Sequence, residues 1–300
     1  MRRPARVSYP QHAGEVWGAS GATAWGGSVT DDGDWRTSFR PDIPSAARIY
    51  DYLLGGKDHY PEDRAVAESL IAQLPNVQLA VQWNRAFLRR VVRYLINEAG
   101  IRQIVDIGAG LPTVGNTHEI AQAADPQARV VYVDHNPVVL AHARSMLHNV
   151  PNAAIIGQDL LEPDEILNDP ALRSLIDFRE PTAFLFLSTL HFVSDESDPA
   201  GLVAALLDPF PGGSHVAISH VTPDTVAEVN EAERLFDDAT EQAHVRSRAA
   251  VMKLVSGLEL IEPGLTWPPR WRPDPGDQVP ANAGESYYCV VVARKPEPRA

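Results

Sequence analysis

The stretch Ile104-Val105-Asp106-Ile107-Gly108-Ala109-Gly110 decides how this chain is read. An apolar, β-branched run closed by a carboxylate and two glycines is a buried strand that turns sharply into its next element. Gly108 and Gly110 permit left-handed torsions and a close backbone approach that side chains would block, as a turn cradling a nucleotide-like ligand requires. Similar runs follow at residues 130–133, 153–157, 182–188 and 214–219, with a helical segment in each gap. Asp106, Asp134 and Asp159 end successive strands 28 and 25 residues apart, and Ser188 lies a further 29 on. Each step has room for one strand and one crossover helix. The alternation predicts an α/β protein built on a parallel sheet.

On the N-terminal side, three helices precede any strand. Residues 46–54 are capped by Ser45 and stopped by Gly55-Gly56, and residues 61–74 are opened by Pro61. Residues 77–98 carry an apolar stripe of Val81, Phe87, Leu88, Val91, Val92 and Leu95. On the C-terminal side, Thr222-Pro223 is expected to open a helical region reaching about residue 255. Two last apolar runs, 257–261 and 286–294, are joined by a Pro-rich loop with no helix, so the final strand is expected to enter antiparallel. Residues 1–44, with six glycines, three tryptophans and five charges of each sign, show no period and read as a flexible extension. A mis-assigned start or a partner-binding tail would each account for them. The organisation is then extension 1–44, helical region 45–100 and sheet domain 101–296.

Composition narrows the class. The 300 residues are 44% hydrophobic and 22% charged, enough apolar material for a large core, in two domains or in one α/β domain with extensions. The longest apolar runs, 183–187 and 289–293, fall far short of the roughly 20 residues that span a bilayer. No apolar core follows the basic start, and the lone Cys289 forms no internal disulfide, so a cytoplasmic location is expected. A net charge of −13 opposes a large nucleic-acid footprint and favours a small-molecule partner. The ten histidines form no His-x-x-x-His or His-Glu-x-x-His spacing, so no metal is indicated.

The strand ends supply a candidate pocket. Where the dinucleotide fingerprint carries a third glycine, Leu111-Pro112-Thr113 stands instead, which disfavours a pyrophosphate-hugging turn. Asp134 is suited to the vicinal hydroxyls of a ribose and would repel a 2′-phosphate; either it or Asn136 could instead cap the helix begun by Pro137. Asp159 could accept from the exocyclic amine of adenine while Leu160 packs on the ring.

Taken together, Asp106-Ile-Gly-Ala-Gly110, Asp134 and Gln158-Asp159 resemble the first three motifs of class I S-adenosylmethionine-dependent methyltransferases. More narrowly, residues 47–58, 108–113 and 131–144 resemble an actinobacterial family of uncharacterised S-adenosyl methyltransferases, over roughly residues 43–295. The resemblance implies a Rossmann-like class I fold: a mostly parallel seven-stranded sheet, an antiparallel last strand and an N-terminal helical lid. It implies S-adenosylmethionine as cofactor and S-adenosylhomocysteine as product. Gly108, Ala109, Gly110 and Leu111 would pass beneath the methionine portion, with Asp106 supporting the turn. Asp134 would hold the ribose, His135 and Asn136 would flank the adenosine, and Asp159, with Gln158 before it and Leu160 beside it, would contact adenine. Pro112 departs from the general class pattern, where glycine is common, but fits the narrower family.

Ser188 and Thr189, at the end of the fourth strand, are expected to meet the cofactor. His191 is the candidate general base, unless it is a buried core histidine. Tyr50, Lys57 and Asp58 could line an acceptor pocket under a hinged lid, or simply follow a helix C-cap. Trp267 and Trp271 could grip an aromatic or anionic acceptor, or fold over the sheet edge. The sequence contains no Asn-Pro-Pro-Tyr type motif for amino-group methylation of nucleobases or glutamine. Methyl transfer to an O, N or S nucleophile of a small molecule is the leading expectation. A non-catalytic S-adenosylmethionine or S-adenosylhomocysteine binder and an NAD-dependent oxidoreductase are the alternatives. Oligomeric state is not legible.

Overall fold

A computed structural model describes residues 40–113, 115–277 and 279–297; the predicted extension therefore falls, up to residue 39, outside the described residues. Three helices come first: α1 (Ala46–Leu53), α2 (Pro61–Gln73) and α3 (Val77–Asn97). The alternating region follows as β1 (Gln103–Ile107), α4 (Thr117–Ala124), β2 (Arg129–Val133), α5 (Pro137–Leu147) and β3 (Ala153–Ile156). Next come α6 (Pro163–Asn168), α7 (Pro170–Leu175), β4 (Ala183–Leu187), α8 (Pro199–Leu207) and β5 (His215–Val221). Proline at the first turn of α2, α5, α6, α7 and α8 fixes where each helix starts, because the missing N–H would have had no partner there.

The seven strands form one sheet in the order β3-β2-β1-β4-β5-β7-β6, completed by β6 (Glu259–Leu260) and β7 (Tyr288–Arg294). Strands β1 to β5 pair parallel, and β7 enters antiparallel between β5 and β6, as the helix-free connection predicts. Alternate strand residues feed opposite faces. Val105, Val131, Phe184, Val216 and Val291 pack under α6, α7 and α8, whereas Ile104, Val130, Leu185, Ala217 and Val292 pack against α3. A third apolar cluster joins α1, α2 and the first half of α3 to Val229, Ala232, Tyr287 and Tyr288. It lies against the sheet end where β5 stops and β7 starts, and so puts a helical layer beside the strand tips.

The long helical region expected over 222–255 does not form. Among the described residues it contains only α9 (Val229–Ala232), a 3-10 turn at Glu233–Phe236 and α10 (Arg248–Lys253). The intervening chain is held by tertiary bonds. The buried Arg246 guanidinium donates to the carbonyls of Leu190 at 2.7 Å and Val193 at 2.6 Å and pairs with Asp195 at 2.7 Å. No helix among the described residues is long and apolar enough to cross a membrane.

Candidate active site

The turn after β1 is built as its glycines require. Gly108 and Gly110 have φ of 69° and 65°, and the N–H of Gly108 donates to the Val133 carbonyl at 2.8 Å, tying the turn to β2. A methyl at Gly108 would lie 2.5 Å from Thr189 Cγ2, whereas one at Gly110 would meet nothing within 4 Å. The first glycine therefore admits Thr189, whose hydroxyl donates to the Ile107 carbonyl at 2.8 Å. The second faces open space.

Asp134 sets the other side of that space. One oxygen accepts the Gly110 N–H at 2.9 Å and the other the Asn136 N–H at 2.8 Å. Each sp² oxygen keeps a lone pair free for a ligand hydroxyl. Burial pushes the carboxyl above its ordinary range, offset by these two donors. Asp106 lies deeper. It accepts from Thr117 Oγ1 at 2.6 Å, and desolvation pushes it up to about 6. Asn136 does cap α5, accepting the Val138 N–H at 3.0 Å, while its amide also donates to Ser45 Oγ at 3.2 Å. Asn136 thus caps the helix and ties its start to the residue before α1. Gln158 donates to Asp169 at 3.2 Å, Asp159 closes its own turn on the Leu161 N–H at 2.9 Å, and Leu160 is buried beside them.

A cavity of about 670 Å³ connects these groups. Its lining includes Asp106, Gly108 to Leu111, Asp134 to Asn136, Gln158 to Leu160, Ser188, Thr189, His191 and Tyr50. This volume is within the range for small-ligand and cofactor sites. Ser188 adopts φ of 59°, with its N–H held by Ser219 Oγ at 2.9 Å and its hydroxyl by Asn84 Nδ2 at 2.8 Å. A serine in the left-handed region is strained unless its surroundings hold it there, as these bonds do. His191 is buried, and Nδ1 has no hydrogen-bond partner. Burial, and then the neighbouring His220 and Arg246, push its pKa well down, so the imidazole is neutral.

Four predicted acceptor residues are not part of the lining. Asp51 accepts the Asp58 N–H at 2.8 Å and folds the loop after α1 back on itself, leaving Lys57 and Asp58 exposed to solvent. Trp271 is fully buried, edge-on to Phe87 at 5.2 Å and Tyr94 at 5.7 Å; it is a core residue on the α3 face. Trp267 packs against the opposite face with the Arg248 guanidinium 4.5 Å from its ring centre. The tryptophan-bearing part of the β6–β7 connection wraps the sheet, and only its end, at Tyr287, reaches the cavity. Conversely, Asn84 and Arg85 of α3 and Glu241 with His244 after β5 do line the cavity. Asn84 had a sequence signal: it interrupts the apolar stripe between Val81 and Leu88. The 241–244 segment had none, because its place depends on Arg246.

The sequence profile of the S-adenosyl methyltransferase family matches residues 34–296. A solved DUF574 family protein of Streptomyces avermitilis MA-4680 is 38% identical, covers 86% of this chain and all of its own, and superposes with a TM-score of 0.82. A protein of Thermobifida fusca YX, whose methyltransferase role is itself an inference, is 37% identical over 85% of this chain and 96% of its own, with a TM-score of 0.80. The chain belongs to the S-adenosyl methyltransferase family. No curated protein matches it. The family member is thus an S-adenosylmethionine-dependent enzyme with the Rossmann-like class I fold. Its residues fit that cofactor: Gly110 leaves open space in the β1 turn, and the buried Asp134 carboxylate keeps lone pairs free beside it.

Proposed function

We propose that this methyltransferase transfers the cofactor methyl to an O, N or S nucleophile of a small molecule, in the cytoplasm. The observation that carries the reading is the joint engagement of Asp134 with the Gly110 and Asn136 N–H groups at the mouth of one cavity that continues under α1–α3. Asp134 would hold the ribose hydroxyls, the Gly108–Leu111 turn the methionine portion, and Asp159 with Leu160 the adenine. Bound there, S-adenosylmethionine would supply an electrophilic sulfonium methyl for the acceptor's lone pair, with the thioether of S-adenosylhomocysteine as leaving group.

The chain's task is chiefly alignment and exclusion of water. Ser188 and Thr189 define the end of β4, where the acceptor's nucleophile meets the cofactor side. His191, held neutral, contacts that nucleophile as a hydrogen-bond partner. Burial, His220 and Arg246 push its pKa well down, and the nucleophile's proton would pass on to bulk solvent. Helices α1 and α2 with the first half of α3 act as the lid, while the second half of α3 is core against the sheet. They are tied to the cofactor side by Asn136 to Ser45, and to the post-β5 segment by the Ala46 N–H to Glu241 at 3.0 Å and the Thr240 N–H to the Pro44 carbonyl at 2.9 Å.

The test is release of S-adenosylhomocysteine from the full-length chain across a panel of small O–H, N–H and S–H acceptors. Acceptor-dependent release is expected, with kcat lowered in His191→Ala and cofactor affinity kept. Release equal in the two proteins would remove the role given to His191.

A further inference from the structure

The third apolar cluster does not close on itself; the cavity runs into it. Ile49, Leu53, Leu74, Val77 and Val81 of the helical layer line the void, as do Val229, Ala232 and Phe236 from the segment after β5. The polar strand-tip end of the same cavity is the cofactor region, so this apolar lobe is left for the acceptor. Where the lobes meet, Asn84 donates through Nδ2 to Tyr50 Oη at 3.1 Å and to Ser188 Oγ at 2.8 Å. Its Oδ1 is buried without a partner, on a residue only 3% exposed. An unpaired buried acceptor costs free energy that a ligand N–H or O–H would recover.

Charge narrows the ligand further. The lining carries the carboxylates of Asp51, Asp106, Asp134, Asp159, Glu233 and Glu241 and one guanidinium, Arg85, which already donates to the Gly115 carbonyl at 2.9 Å. The buried Arg246 is saturated by Leu190, Val193, Asp195 and His220. An anion in the apolar lobe would be repelled by this excess of carboxylates, which Arg85, coupled to Asp106, offsets only in part. A cation entering the apolar lobe would find Asp51 and Glu233 already accepting the Asp58 and Val245 N–H groups at 2.8 and 3.2 Å, and would be desolvated among aliphatic side chains.

We infer that the acceptor is an uncharged, predominantly apolar molecule that buries its hydrophobic body among α1, α2, α3 and the Val229–Phe236 segment and presents one N–H or O–H nucleophile at Asn84 and Ser188. The inference rests on the methyl-transfer reading only for what fills the strand-tip end.

Binding of four naphthalene probes to the full-length chain saturated with S-adenosylhomocysteine tests it without turnover. 1-Naphthol and 1-naphthylamine, which separate the two donor types, carry the expected chemistry; 1-naphthoate and 1-naphthylmethylammonium are the charged counterparts. At least one neutral probe should bind at least about tenfold more tightly than either charged one, since the charged forms must be desolvated unpaired. Phe236→Ala, at a half-buried position, should weaken that probe about fivefold or more through lost apolar contact while S-adenosylhomocysteine affinity is kept. Asn84→Ala should remove the preference for 1-naphthol over unsubstituted naphthalene. A charged probe binding as tightly as the neutral ones, no neutral probe binding, or a neutral probe unaffected by Phe236→Ala would overturn the inference. Failure of S-adenosylhomocysteine itself to bind would overturn the methyl-transfer reading instead.

Discussion

Replacing Asp134 by alanine removes a side chain that engages the glycine turn and the start of α5 at the same time. Its oxygens accept the Gly110 N–H at 2.9 Å and the Asn136 N–H at 2.8 Å, and the carboxylate is 9% exposed, towards the cavity. Hydrogen bonds to a charged acceptor contribute about 1.5 to 3 kcal/mol each when buried. In the variant, ligand hydroxyls lose that acceptor and the Gly110 N–H is no longer held in place. Binding of S-adenosylhomocysteine should weaken by about 1 to 3 kcal/mol, or about 5- to 150-fold in Kd. The stability change is smaller, because the two orphaned N–H groups are offset by relief of a carboxylate whose pKa burial has raised. A net loss near 1 kcal/mol corresponds to about 2–4 °C in Tm. Calorimetric titration for Kd and a thermal unfolding curve separate the two effects. An unchanged Kd in a folded Asp134→Ala protein would refute the ribose assignment.

Other outcomes follow from the same geometry. Gly108→Ala should destabilise the fold, because its methyl would lie 2.5 Å from Thr189 in addition to the cost of φ 69°; Gly110→Ala has only the torsional cost, about 1–2 kcal/mol, and should weaken cofactor binding more than stability. Paired unfolding and titration curves distinguish them, and equal effects at both positions would contradict the open space at Gly110. Asp106 is raised from 3.8 to about 6 in the folded chain, so the native state holds its proton more tightly than the unfolded one. Stability relative to Asp106→Asn is therefore fully present below pH 4 and lost as pH rises through about 6, by at most about 3 kcal/mol. Urea unfolding of both proteins across that window measures it; a flat difference would mean that the carboxyl is not buried as described. Trp271→Ala should cost about 3–5 kcal/mol of stability and leave S-adenosylhomocysteine affinity unchanged in the folded fraction, whereas a selective loss of ligand binding would return Trp271 to the site.

Much of the fold and of the strand-tip end of the cavity is legible because both depend on local pattern. The β-branched runs that become β1 to β5 are apolar on both faces, and Asp106, Asp134 and Asp159 lie at or just beyond the carboxyl ends of β1, β2 and β3, where α/β sheets take their ligands. The helix-free link before β7 was enough to predict its direction. The acceptor end is less legible because it is made by packing across long separations. Trp271 and Trp267 read as a gripping loop, yet which way a loop aromatic turns depends on what α3 and α10 offer it. Residues 237–247 have no apolar period, and their path is fixed by Arg246 bonding to carbonyls more than 50 positions away. Asn84 was visible as a polar break in a stripe, but its link to Ser188 spans 104 positions and exists only once α3 lies over β4.

The central claim is that the strand-tip end of the cavity binds S-adenosylmethionine and its product and not a dinucleotide. Parallel calorimetric titration of the full-length chain with S-adenosylmethionine, S-adenosylhomocysteine and NAD tests it most directly. The account predicts saturable one-to-one binding of the first two and none of NAD. Binding of NAD alone, or of none of the three, would contradict it.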